Sequence, residues 1–167
     1  ANRAYLIKVS GNAPATLTVT GRPSLRRLEW VPDAYNLRGF PVDDSSPPTF
    51  LDFFRSAPAH YSVATGRLEN VYRLNASGQW TLVGPSDSMS RTAAYWVFSR
   101  GASDFTAPIE VRPELGDGVD FDVATEQFSV ELRNRSAASR TVLVQPRTAS
   151  ASGALACQVF DPAQGGY

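Results

Sequence analysis

The chain has 167 residues, 43% of them hydrophobic and 11% aromatic, which is enough for one good core or two small ones. Sixteen basic and sixteen acidic side chains cancel, and the basic ones are dispersed, so no electrostatic footprint for nucleic acid is present. A single cysteine, Cys157, and a single histidine, His60, exclude an internal disulfide and a Cys/His zinc site, and no apolar run approaches the ~20 residues of a membrane span.

In chain order, Tyr5-Leu6-Ile7-Lys8-Val9 is a compact apolar run stopped by Ser10-Gly11-Asn12, and residues 17–20 follow as a second β-former ending at Gly21. The opening ANRAYLIKVSG lacks a charged start, a long apolar stretch and a cleavage site, so the chain reads as a mature or excised piece of a longer protein. Residues 28–31 alternate and stop at Pro32-Asp33. A strand is expected over 35–42, then a loop through Asp43-Asp44 and Pro47-Pro48. Thr49 is placed as an N-cap for a short helix near 49–56, the one helix the sequence predicts.

Residues 71–74 and 79–83 flank Asn75-Ala76-Ser77-Gly78 and predict a hairpin. Strands are also expected over 94–98, 109–112, 119–123, 128–133 and 141–145, the later ones at the roughly ten-residue spacing of a sandwich. The fold class is therefore all-β with one short helix: an antiparallel β module, then an immunoglobulin-like sandwich portion.

Ala4, Tyr5 and Gly11 recur as Ala94, Tyr95 and Gly101, an offset of 90 residues. This divides the chain into 1–22, the closing strands of a preceding repeat; 23–112, a β-rich repeat body; and 113–167, a partial sandwich with its tail. Repeats that share strands stack, and their neighbours supply part of the stability.

The motifs YNLRGFPV at 35–42, PTFLDFF at 48–54, VYRL at 71–74, QW at 79–80 and AYWV at 94–97 keep a fixed order. Over about residues 29–111 they resemble an uncharacterised β-rich repeat module of large exported bacterial proteins. The resemblance implies a secreted or cell-surface location and brings no catalytic residues with it. LGDGVDFDV at 115–123 and LRNRS at 132–136 are similar to an immunoglobulin-like domain of the abnormal-spindle/Hydin type.

Candidate chemistry is sparse. His60 with Asp52 or Asp87 and a serine is a formal triad, but its setting, Ala57-Pro58-Ala59-His60-Tyr61, reads as a polar loop. Asp43-Asp44 and Asp117, Asp120 and Asp122 offer oxygen ligands for calcium, yet Asp120 and Asp122 alternate with apolar residues as solvent-facing strand positions do. Glu110, Glu114, Glu126 and Glu131 show no glycosidase spacing, and Asn75 and Asn134 begin glycosylation-type triplets. No cofactor site is expected.

Trp30, Trp80, Trp96, Tyr35 and Tyr95 are either core or a sugar-stacking platform, with Trp80 and Trp96 the candidates for the platform. Tyr5, Leu6, Ile7 and Val9 are the candidates for strand contacts between units. The leading expectation is a non-catalytic structural or adhesive module whose partner is protein, either itself or neighbouring units. A carbohydrate-binding module and an accessory domain of a secreted hydrolase are the alternatives.

Overall fold

The computed structural model describes residues 10, 11, 16, 18, 25, 27–116, 118, 119, 127–136 and 138–144. It is mostly β, with antiparallel sheets and one short helix. The elements are β1 (Ala34–Gly39), α1 (Phe50–Phe54), β2 (Tyr61–Ser62), β3 (Arg67–Leu68), β4 (Val71–Leu74), β5 (Trp80–Leu82), β6 (Ala94–Ser99), β7 (Ile109–Pro113) and β8 (Val130–Asn134). The main sheet has the order β1-β6-β4-β5, all antiparallel, so β6 enters between strands formed much earlier in the chain.

Its inner face carries the core. Tyr95 and Val97 of β6, Val71 of β4 and Asn36 of β1 point inward and are buried. They meet Phe50, Phe53 and Phe54 of α1, with Phe40, Trp30, Phe105, Met89 and Val83 closing the sides. The rings interlock edge to face: Phe40 with Phe53 at 5.1 Å, Phe50 with Tyr95 at 4.9 Å, and Phe53 with Phe105 at 5.7 Å between centroids. Such pairs add to simple area burial, about 0.5–1.5 kcal/mol each. The polar tips find partners: the Tyr95 hydroxyl accepts from the Ser90 amide, and Trp30 Nε1 donates to Phe105 O at 2.6 Å.

The helix forms as the sequence predicts, although it is shorter than 49–56. Thr49 Oγ1 accepts from the Asp52 amide and donates to the Asp52 carboxylate, a reciprocal cap for a single turn of helix. The 71–74/79–83 hairpin also forms as β4–β5. Asn75 Oδ1 accepts from the amides of Ser77 and Gln79, and Gly78 takes φ 77°, which a side chain would resist.

Three strand expectations differ from the structure. Residues 28–31 alternate in burial but join no ladder, because the Asn36 side chain holds both the amide and the carbonyl of Val31. The 35–42 strand ends at Gly39: Pro41 has no amide to donate, and Phe40 turns into the core. Residues 141–144 are in no strand and stay exposed. The sequence also missed β2–β3, a two-residue ribbon too short to show alternation.

After the main sheet, β7 and β8 make a two-stranded ribbon. Residues 120–123 of the strand expected over 119–123 lie outside the described residues, as do residues 5–9 and residues 17, 19 and 20 of the two strands expected near the start. Among the described residues the ribbon has no second sheet, and an immunoglobulin-like sandwich is not formed there.

Arg135 ties the ribbon to the module. It bonds the Glu110 carboxylate at 2.8 Å and that of Asp104 at 2.9 Å, and its guanidinium lies 5.7 Å from the Phe105 ring centroid.

Candidate interaction surface

The antiparallel sheet dictates which residues share its outer face. β6 alternates Tyr95, Val97 and Ser99 inward with Ala94, Trp96 and Phe98 outward. The register places Leu37 and Tyr72 on either side of Trp96, with Leu82 beyond Tyr72. Leu37, Trp96, Tyr72 and Leu82 thus form one apolar row across all four strands. Tyr35 beside Phe98, and Leu74 opposite Trp80, complete the face.

None of these eight side chains is charged. An antiparallel sheet with one face in water normally alternates apolar inward with polar outward, and this one is apolar on both sides. Leu82 is 62% exposed, Tyr35 42% and Trp80 38%, while Trp96, Phe98, Leu37 and Tyr72 are half-buried among their neighbours.

The outer rings lean on one another. Trp80 and Trp96 stand 6.2 Å apart at 64°, Tyr35 and Phe98 5.2 Å apart at 63°, and Tyr35 and Tyr72 5.8 Å apart at 62°. A hydrogen bond with the Tyr35 hydroxyl raises the pKa of Tyr72 above the ordinary tyrosine value. This is the edge-to-face packing of half a core, not a coplanar array.

Trp80 and Trp96, the two sequence candidates for a platform, are thus brought together. Trp30 and Tyr95 belong to the inner core. The residues that sequence reasoning did not name are Leu37, Tyr72, Leu74, Leu82 and Phe98. A signal for the face was present in the run Ala94-Tyr95-Trp96-Val97-Phe98: an unbroken apolar strand has both its faces facing cover. Tyr5, Leu6, Ile7 and Val9, the candidate strand contacts, lie outside the described residues, as do Asp117, Asp120, Asp122, Glu126 and Cys157.

His60 is not in a polar loop. It is buried, with its ring centroid 4.2 Å from Trp30 and 5.0 Å from Phe54. The Phe98 carbonyl at 3.0 Å can only accept, so Nδ1 carries the proton and Nε2 accepts from Ser103 Oγ at 3.2 Å. Burial lowers its pKa below the usual histidine value, against the opposing pull of the Phe98 carbonyl and Glu69. The ring works as a polar rivet between aromatic walls, and among the described residues no carboxylate hydrogen-bonds to it.

The carboxylates are likewise engaged. Asp43 accepts from the amide and hydroxyl of Ser45, which hold its pKa down, and Asp44 pairs with Arg91 at 2.8 Å. Burial alone would raise the pKa of Glu110, but bonds from Arg135 and Arg112 outweigh it and hold that carboxyl below the usual glutamate value. An open groove of about 560 Å³ beside the ribbon is lined by Leu25, Arg27, Val111, Arg112, Glu114 and Glu131; its Arg112 approaches Glu131 at 3.7 Å. Among the described residues no three His, Cys, Asp or Glu side chains converge as a metal site, and no helix is long and apolar enough to cross a membrane. Asn134, like Asn75, caps its own turn, accepting from the Ser136 amide.

No family model, curated protein or solved structure matches this chain.

Proposed function

We propose that the chain is a non-catalytic structural or adhesive module of an exported bacterial surface or extracellular protein, and that it acts by associating with further units. The observation that carries this reading is the outer face of the β1-β6-β4-β5 sheet, eight apolar or aromatic positions without a charge. Contiguous apolar patches of several hundred Å² on a soluble surface mark interaction sites. The β7–β8 ribbon adds to it: Val111, Val130 and Leu132 share one exposed face, and a two-stranded ribbon with an apolar face is stable only against further structure. Completion of that ribbon into an immunoglobulin-like sandwich by strands from elsewhere belongs to the same reading.

The engagement of His60, Asp43, Asp44 and Glu110 in packing and ion pairs supports the non-catalytic part. Sedimentation velocity over rising concentrations of the chain tests the proposal. Concentration-dependent association supports it, and a monomer throughout counts against it.

A second reading, glycan binding, is favoured by the shared position of Trp80 and Trp96. Saturable binding of soluble oligosaccharides in calorimetry, lost in Trp80→Ala and Trp96→Ala, would replace the first reading. The tilt between the rings argues against it, because a sugar chain stacks on open, flat ring faces.

A further inference from the structure

We infer that the outer face of the four-stranded sheet is an interface for a second copy of this chain, packed sheet on sheet. The inference rests on the association reading above and names both its surface and its partner.

The choice of occupant follows from charge and shape. The face carries no charge and the chain's formal net charge is zero. Two copies therefore meet without like-charge repulsion and without stripping water from an ion. A basic or acidic partner finds nothing here to pair with.

The rings on this face stand at 62–64° to one another in the three close pairs. They leave ridges and grooves of side-chain size, which suit the interdigitation of two sheets about 10 Å apart. A flat ligand would touch only ring edges. The central strand β6 is the clearest sign: Tyr95 and Val97 fill the inner core while Trp96 and Phe98 point outward beside Leu37 and Tyr72. Only a second apolar layer makes sense of both sets.

Area sets the strength. The eight side chains still expose on the order of 500 Å² per copy, taking about 200 Å² for each large side chain. A face-to-face pair would then bury about 1,000 Å², the lower bound for a specific interface. This points to a dimer with a dissociation constant on the order of micromolar or weaker, which a tethered neighbour in the same polypeptide would strengthen through effective concentration.

The test is sedimentation equilibrium on the full chain and three variants. Leu82→Glu and Trp80→Ser alter exposed outward positions of the edge strand β5, and Val63→Glu alters an exposed position in the turn between β2 and β3. An unchanged unfolding midpoint is required of each variant. The expected result is a wild-type dimer, weakened about tenfold or more by Leu82→Glu, weakened also by Trp80→Ser, and unaffected by Val63→Glu. Tryptophan emission should shift to the blue as the wild type associates, because Trp80 and Trp96 lose water while Trp30 is already buried.

Association that ignores Leu82→Glu and Trp80→Ser overturns the inference and leaves the association reading in place. A wild type that is monomeric at every concentration overturns both.

Discussion

Among single residues His60 has the most to lose. Its imidazole is held neutral between Trp30 and Phe54, with both nitrogens bonded and its pKa lowered by burial. The unfolded chain takes up the proton first, near the ordinary histidine value of 6.5. Stability contributed by the neutral ring is therefore fully present above that pH and is lost as pH falls through the folded value. Urea unfolding should show a lower midpoint at pH 5 than at pH 7.5, and His60→Leu should flatten that part of the profile. Glu110 governs a separate, more acidic step, because its folded pKa lies below the ordinary glutamate value of 4.5: its contribution is present above that pH and disappears as the carboxyl protonates at lower pH. Glu110→Gln should cost about 2 kcal/mol at neutral pH, leaving Arg112 and Arg135 without their shared anion; chemical denaturation measures it.

At the scale of elements, α1 is a single turn and cannot stand by propensity. It is held by its cap and by three phenylalanines in the core. Thr49→Ala should lower stability by about 1 kcal/mol through loss of the reciprocal bond with Asp52. Phe54→Ala should cost about 3 kcal/mol or more, since that ring is fully buried against Phe40, Phe53 and His60. Leu82→Ala, on the outer face, should change the stability of the monomer by no more than about 0.5 kcal/mol. Thermal unfolding of the three variants at low protein concentration separates them. A large effect at Leu82 would mean that the outer face is covered within a single chain.

For the whole molecule, the arrangement of charge predicts how association responds to salt. The outer face has no ion pair to screen. Raising sodium chloride toward half-molar should leave the self-association constant essentially unchanged, whereas sulfate should strengthen it by favouring apolar burial. Light scattering or sedimentation in the two salts makes the comparison. Association that weakens steeply with sodium chloride would instead point to the charged side of the ribbon, where Arg112 and Glu131 lie.

The sequence by itself determined what local chemistry determines. Alternation and turn residues specified β4–β5, β6 and β7, and Thr49 with its Phe-rich run specified the helix. In each case the signal is a period or a cap within a few neighbouring residues. Tertiary structure decided the rest. Residues 28–31 look like a strand, but an asparagine five positions away from Val31 captures its backbone and removes it from any ladder. His60 looks solvent-facing beside Pro58, yet Phe98 and Ser103, far along the chain, supply the partners that allow it to be buried. The outer face was legible only in part: Trp80 and Trp96 could be named, but their joining with Tyr35, Leu37, Tyr72, Leu74, Leu82 and Phe98 depends on β6 entering between β1 and β4. Strand order is a long-range choice, set by which faces bury the most apolar surface together, and no local pattern encodes it.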